Sequence, residues 1–193
     1  MHRILKSTGS IYLQMDTRIN HWVRCIMDDI FGYDNFRNEI SWRYKRWTMT
    51  SKNAWQKMHD VILMYGVDNI VKEIREPILK PKKQNKNDGS GKSLRDENGN
   101  ILYHIQTDRI VDDVWDIPIL NPRSKERVGY NTQKPKALLE RIIKASSNEG
   151  DVVADFYMGS CTTGKVALEL GRQFIGCDIR EKAFDISAKR LNH

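Results

Sequence analysis

Val152-Val153-Ala154-Asp155-Phe156-Tyr157-Met158-Gly159-Ser160-Cys161-Thr162-Thr163-Gly164, with Phe174-Ile175-Gly176-Cys177-Asp178 beyond it, is the stretch that decides the fold. An apolar run ends in an acid, then turns through glycine and small polar residues into a helix. A second apolar run also ends in an acid. That pattern is strand, loop, helix, strand, the unit of a doubly wound α/β sheet. Asp178 falls 19 residues after Gly159, close to the ~20 at which such a sheet brings a second carboxylate to a pair of ribose hydroxyls. The loop leaves backbone amides at a helix N-terminus, where an anionic or hydroxyl-rich ligand can meet them.

Several readings compete for the loop on its residues alone. A dinucleotide site requires Gly-x-Gly-x-x-Gly, and here Cys161 occupies the middle position, where glycine lets the backbone approach a pyrophosphate closely. Gly159 to Lys165 also fits Gly-x-x-x-x-Gly-Lys, the phosphate-cradling loop of a nucleotide binder. Val166 then stands where that loop needs a Ser or Thr hydroxyl for magnesium. A glycine turn in an α/β domain with no ligand is the plainest alternative.

Three segments in one order narrow the choice. Asp155 to Thr163 resembles the Asp-Pro-Phe-x-Gly-Ser-Gly-Thr-Thr loop of S-adenosylmethionine-dependent DNA amino methyltransferases. Ser124-Lys125-Glu126-Arg127-Val128-Gly129-Tyr130-Asn131-Thr132-Gln133-Lys134-Pro135 resembles the segment that precedes this loop in those enzymes and closes over the methionine end of the cofactor. Gly9-Ser10-Ile11-Tyr12-Leu13-Gln14-Met15-Asp16 resembles another of their strands. With the cofactor loop near the C-terminus, the order is similar to the permuted group that methylates adenine N6 or cytosine N4, and the resemblance runs from about Leu5 to Leu191. It implies a single, partial methyltransferase domain over 1–193, with 124–193 as the cofactor-binding part.

Composition agrees with this. At 193 residues, 39% hydrophobic and 30% charged, the chain is one domain's worth with apolar content for a core. No apolar run approaches the ~18 residues of a membrane span, and no secretory segment opens the chain, so it reads as cytoplasmic, with no membrane partner. Cys25, Cys161 and Cys177 are odd in number and lack paired zinc spacing, so reduced thiols and no metal site are expected.

The net charge of +7 is unevenly placed. From Arg37 to Asn100 there are 14 Lys+Arg against 8 Asp+Glu, leaving 18 against 17 elsewhere. Trp42-Arg43-Tyr44-Lys45-Arg46-Trp47 interleaves bases with aromatics, a composition suited to phosphate contact and base stacking or, more plainly, an amphipathic strand with a basic face. Lys80 to Lys92 has too little apolar content to pack and reads as a basic loop. The resemblance makes 37–116 a basic insertion and target-recognition region, double-stranded DNA the partner, and Arg43, Lys45, Arg46, Lys125 and Arg127 its contacts.

Periodicity places five strands, at Ser10–Met15, Asn38–Trp42, Asp60–Tyr65, Val152–Phe156 and Phe174–Asp178. A helix over Thr17 to Ile30 carries Ile19, Trp22, Val23, Ile26 and Ile30 on one face and ends at Gly32. Helices follow at Lys136–Ser147, Thr162–Leu170 and Glu181–Leu191, the last expected to bury Ala183, Phe184 and Ile186 or Ser187. Asp16 is read either as an N-cap for the first helix or as a group facing the cofactor.

Amino methylation requires an exocyclic nitrogen, its lone pair drawn into the ring, to be held by acceptors after the base is flipped out. The resembled family uses Asp, Asn or Ser followed by Pro-Pro-Tyr or Phe. The five prolines here, Pro77, Pro81, Pro118, Pro122 and Pro135, are all isolated, so that motif is absent and no catalytic residue is assigned. The expectation is a Rossmann-like methyltransferase sheet that is incomplete. In the family order 3, 2, 1, 4, 5, 7, 6, the third and the central fourth strand are missing, so 2, 1 and 5, 7, 6 face one another across a gap. Such a chain is expected to be inactive alone and to need an N-terminal fragment or subunit, or else to be a non-catalytic remnant that binds cofactor or DNA. A restriction-modification methyltransferase of adenine N6 is the function implied, with cytosine N4 second. Cofactor contacts carried over are Asp155, Phe156, Gly159, Ser160 and Thr162 at the methionine and sugar, Gln133, Lys134 and Pro135 at the amino-acid end, and Asp178 at the ribose. Cys161 replaces the family's glycine; if that position needs positive φ, affinity suffers.

Overall fold

The 59–66 segment, His-Asp-Val-Ile-Leu-Met-Tyr-Gly, is apolar on both faces, and the structure puts it in the middle of a sheet. In the computed structural model, which describes residues 2–46, 53–66, 72 and 74–191, β3 (His59–Gly66) lies between β1 (Ser10–Met15) and β2 (Phe36–Arg43), antiparallel to both. Ile62, Leu63, Met64 and Tyr65 are buried to 2% exposure or less, as a strand flanked and covered on both sides must be. β6 (Val114–Asp116) joins β2 in parallel, giving the order β1-β3-β2-β6. The order β1-β3-β2 is the 5, 7, 6 that the resemblance implies.

Each face of this sheet has its own helix. Alternation sends Val61, Leu63 and Tyr65, with Ile11, Leu13 and Met15, toward α1 (Asn20–Phe31), which buries Met27 and Phe31 against them. Tyr12 points the other way and its hydroxyl meets Ser146 Oγ of α2 (Lys136–Ser146) at 2.5 Å. α2 also packs Ile143 against Val166 and Ala167 of α3 (Thr162–Glu169), with Val153 and Phe174 beside them. Those last two come from β7 (Val152–Asp155) and β8 (Gln173–Gly176), a parallel pair. α4 (Glu181–Leu191) closes the chain. Among the described residues, β7 and β8 form a sheet of their own and β1 pairs only with β3.

Several expectations are corrected. All five strands are present, but the described residues also contain β6 and a two-stranded ribbon, β4 (Arg75–Asn85) and β5 (Tyr103–Ile110). The insertion expected over 37–116 is narrower. Phe36–Arg43, His59–Gly66 and Val114–Asp116 belong to the four-stranded sheet, and the separate compact unit is Glu73–Asp112; the other unit is Met1–Lys72 with Asp113–His193. The face assigned to α1 is rotated. Ile19, Trp22, Ile26 and Ile30 are 49–69% exposed, while Met27 and Phe31 are buried. The 23, 27, 31 row and the 22, 26, 30 row lie side by side on a helix, and spacing alone does not choose between two adjacent apolar rows. In α4, Phe184 is 49% exposed while Ala183 and Ser187 are buried. Asp16 does not cap α1: its Oδ1 accepts from the Arg18 amide at 2.9 Å in a local turn, and the helix starts at Asn20. Gly32 ends α1 at φ 88°, its amide donating to the Asp28 carbonyl. Trp47, from the basic-aromatic run, lies outside the described residues. No described helix is long and apolar enough to cross a membrane.

Candidate functional site

β7 ends in Asp155, and the turn that follows is laced to the end of β8. Cys177 donates its amide to the Asp155 carbonyl at 3.0 Å and accepts from the Met158 amide at 3.1 Å. The Asp155 carboxylate works inside the turn: Oδ1 accepts from the Tyr157 amide at 3.0 Å and Oδ2 from the Thr163 hydroxyl at 2.6 Å. It thereby ties the strand end to the first turn of α3. Phe156 is half-buried.

Gly159 turns the chain at φ 49°. A Cβ there would stand 3.0 Å from the ring of buried Tyr130, so a side chain would be conformationally strained and would press on that ring. Its amide donates to Asp178 Oδ2 at 2.9 Å, joining the loop after β7 to the acid after β8. Asp178 Oδ1 accepts from the Arg180 amide at 2.9 Å. These backbone donors, Arg180 first and Gly159 next, hold the Asp178 carboxyl below the usual carboxylate range.

Cys161 adopts the left-handed conformation at φ 54°, ψ 36°, the one described non-glycine residue with positive φ, and it is fully buried. The family's glycine at this place thus has a conformational reason. Ser160 and Thr162 are each 4% exposed, and their hydroxyls lie 3.1 Å apart. Both are held from α4: Arg190 Nη1 donates to the Ser160 carbonyl at 2.9 Å and to Thr162 Oγ1 at 3.0 Å. Burial pushes the Arg190 guanidinium below its ordinary range.

The 124–135 segment reaches the same loop, with Thr162 Oγ1 donating to the Lys134 carbonyl at 3.4 Å. Gln133 turns inward on its own segment: Nε2 donates to the Glu126 carbonyl at 2.7 Å and Oε1 accepts from the Val128 amide at 2.9 Å. Pro135 sits at the start of α2, and the first helical amide, Lys136, donates to Glu126 Oε1 at 2.7 Å. The Lys134 ammonium lies 5.4 Å from the Trp42 ring centroid, and burial lowers its pKa. Lys134 therefore links the loop after β7 to the C-terminal end of β2 in the four-stranded sheet. There Asp60 accepts from Gln14 Nε2 at 2.9 Å and from the Tyr44 hydroxyl at 3.1 Å, and Lys57 bridges Asp60 and Asp16 at 3.0 Å each.

The structure thus brings Asp155, Phe156, Gly159, Ser160, Thr162 and Asp178 into one turn and joins Lys134 to it through its carbonyl. It gives Gln133 and Pro135 supporting positions. Arg190, Tyr130 and Glu126 belong to the site and were not assigned from sequence. Tyr130 and Glu126 lie in a quoted segment without a signal of their own, and Arg190 is a helical base whose spacing marks nothing. Of the expected DNA contacts, Arg43 is paired with Asp116 and Arg46 lies over the Tyr44 ring with its guanidinium carbon 5.0 Å from the centroid. Lys45, Lys125 and Arg127 are exposed. The phosphate-cradle reading of Gly159–Lys165 is disfavoured: Lys165 is directed along its own helix to Glu169, 3.9 Å away. Among the described residues no group of three or more His, Cys, Asp or Glu is placed to hold a metal.

Comparison with known proteins gives the chain's family and fold. The chain is 33% identical over 197 residues to the DNA adenine methyltransferase YhdJ of Escherichia coli (strain K12), covering 99% of itself and 63% of that protein. It is 30% identical over 191 residues to the type II methyltransferase M.HpaI of Haemophilus parainfluenzae, covering 99% of itself and 56% of that protein. The chain therefore spans about three-fifths of the length of these relatives. Among solved structures, the M1.HpyAVI-SAM complex superposes with a TM-score of 0.60 at 20% identity, over 97% of this chain and 76% of that one. The PvuII DNA methyltransferase (cytosine-N4-specific) superposes with a TM-score of 0.67 at 17% identity, over 97% and 65%. At such identities the likeness is one of fold. The DNA methylase family (N6_N4_Mtase) matches residues 1–189, nearly the whole chain, and the chain belongs to that family.

Proposed function

We propose that this chain is the cofactor-binding and target-reading part of an S-adenosylmethionine-dependent methyltransferase that modifies adenine N6 in double-stranded DNA, as a cytoplasmic enzyme of restriction-modification type. The observation that carries the reading is the bond from Gly159 to Asp178. It fixes an ionised carboxylate at the mouth of the loop while occupying one acceptor site on one oxygen, and the Arg180 amide occupies one on the other. The Ile179 amide also donates to it. Of the roughly four acceptor sites of a carboxylate, capacity remains for a ribose hydroxyl, and the residues present fit the ribose of the cofactor. When bound, S-adenosylmethionine supplies an electrophilic methyl group. Asp178 and Gly159 orient the nucleoside, Asp155 and Thr163 keep the turn closed with Phe156 beside them, and Lys134 and Pro135 wall the amino-acid end, braced by Gln133. Ser160 and Thr162 act through Arg190 to hold the loop. Lys45, Arg46, Lys125 and Arg127 meet DNA phosphates; Arg43 contributes less because Asp116 neutralises it.

Similarity over the whole chain to a DNA adenine methyltransferase supports adenine, with cytosine N4 as the alternative acceptor. The absence of Asp-Pro-Pro-Tyr supports inactivity of the chain by itself. The two separate sheets support completion by a segment that carries this motif and adds strands between β1 and β7, since open strand edges invite pairing. A non-catalytic remnant is favoured by the same missing motif, and the two are separated by one experiment. Tritiated methyl transfer to duplex DNA is measured with the chain alone and with a co-expressed segment bearing the motif. Transfer only with the segment is the expected result. No transfer in either case supports the remnant, and equilibrium dialysis showing no uptake of S-adenosylmethionine removes the enzyme and the cofactor-binding remnant alike.

A further inference from the structure

The ribbon β4–β5 sorts its side chains by face. In its antiparallel register Lys82 is opposite Gln106 and Gln84 is opposite His104, while Lys83 is opposite Ile105 and Asn85 opposite Tyr103. Partners across a pair share a face. One face therefore presents Lys82, Gln84, His104 and Gln106, all of them polar. The other holds Ile105 and Tyr103, with the Lys83 ammonium 5.2 Å from the Tyr103 ring centroid. Lys82, Gln84 and His104 are exposed, and an open concavity of about 520 Å³ is lined by Gln84, His104, Gln106 and Asp108 together with Ile105, Thr107 and Ile110.

The end of the ribbon is organised. Leu94 donates its amide to the Lys86 carbonyl, Leu102 to that of Leu94 and Lys86 to that of Leu102, at 2.8–2.9 Å. Asp88 accepts from the amides of Ser90 and Lys92, and Asp96 from those of Asn98 and Asn100. The two acids at the tip are thus engaged with backbone, and both carboxyls sit below their ordinary range: the Ser90 hydroxyl and the Lys92 and Ser90 amides lower Asp88, and Asn100 with its amide lowers Asp96. Five lysines and an arginine, Lys80 to Arg95, accompany them with Asp88 as the one acid in that interval.

A two-stranded ribbon is one of the few elements narrow enough for the major groove of B-DNA, and glutamine is suited to a bidentate pair with adenine N6 and N7. We infer that the Lys82/Gln84/His104/Gln106 face is the base-reading surface of this chain, entering the major groove with the two glutamines on adenines and Lys86 and Lys92 on flanking phosphates. The inference rests on the DNA methyltransferase reading and deepens it. Gln84 and Gln106 are diagonal neighbours, separated by roughly 7–8 Å in such a register. That is about two base-pair steps at ~3.4 Å each, so the recognition sequence should contain two A·T pairs about two steps apart.

The test selects duplexes from a randomised pool with the full chain, wild type against a Gln84→Ala/Gln106→Ala variant, with S-adenosylmethionine uptake measured by calorimetry alongside. Both positions lie on a solvent-facing ribbon, so uptake should not change between the two proteins. The expected result is a wild-type preference for two such A·T pairs that falls about tenfold per position in the variant, the size of one bidentate contact. Lys86→Gln should instead weaken all duplexes alike and flatten the salt dependence. The same selected sequence at the same strength from the variant, or no preference in the wild type, overturns the inference. Uptake without a ribbon effect overturns it alone. A ribbon effect without uptake upholds it while removing the cofactor reading.

Discussion

The sulfur of Cys161 lies 2.5 Å from where a Cβ at Gly164 would be built, with the Phe174 ring 2.6 Å from the same point. The residue that bends the loop after β7 through a left-handed conformation thus also roofs the glycine that lets α3 pack against β8. Two substitutions separate these roles. Cys161→Gly removes a left-handed penalty of roughly 1–2 kcal/mol but also a small buried side chain, so the gain is partial. Calorimetry should show S-adenosylmethionine binding about threefold to tenfold tighter, and an unchanged dissociation constant would mean that the strain is not felt by the ligand. Gly164→Ala should destabilise by roughly 1–3 kcal/mol through overpacking. In the double variant the sulfur clash is gone and the Phe174 clash remains, so a thermal-melt cycle should give a favourable coupling smaller than the single penalty.

Arg190 crosses from α4 to the Ser160 carbonyl and the Thr162 hydroxyl. Hydrogen bonds to a charged donor contribute roughly 1.5–3 kcal/mol each when one partner is removed, and the half-buried surroundings leave little water to replace them. Arg190→Met keeps much of the stem packing and should weaken cofactor binding by about tenfold, with a smaller drop in melting temperature than cofactor-loop unfolding would bring. Arg190→Lys should restore only part of the affinity, because its shorter stem holds the ammonium back from the point at which Nη1 meets both oxygens.

Asp178 gives a pH dependence with a definite sign. Its folded pKa is lowered by the Arg180 and Gly159 amides, so its contribution to stability is complete above the unfolded value of about 3.9 and is lost as pH falls through the lower folded value. Melts of wild type and Asp178→Asn should differ by a constant amount from pH 7 to about pH 5 and converge only in stronger acid. Convergence already near pH 6 would show that the Gly159 bond does not hold the carboxylate ionised.

Much of this site is legible in the sequence because backbone needs write themselves into residue types. Gly159 must accept a positive φ beside Tyr130, Asp155 must receive amides two residues on, and Asp178 must close the next strand, so a glycine and two acids appear at fixed spacing. The strand β3 is equally plain, since burial on both faces demands an unbroken apolar run. Contacts made by long side chains across the fold leave no such trace. Arg190 bonds a loop 30 residues away, and Gln133, expected at the ligand, instead satisfies the Glu126 carbonyl and the Val128 amide. The β6 strand of Val114–Asp116 is too short for alternation to register.

The first helix carries the last prediction. Its Val23, Met27 and Phe31 row packs on the sheet, while Ile19, Trp22, Ile26 and Ile30 stay exposed on the row beside it. The open face of β7–β8 shows Val152 and Ile175 at 50% and 58% exposure. Exposed apolar side chains favour association, and the chain should self-associate at micromolar concentration. Trp22→Lys with Ile26→Lys should reduce that association in sedimentation velocity without lowering the melting temperature, because both side chains are more than half exposed. Phe31→Ala, at 5% exposure, should instead destabilise by roughly 3–5 kcal/mol. A double-lysine variant that melts as early as Phe31→Ala would place the 22, 26, 30 row inside the core and return α1 to the orientation its periodicity first suggests.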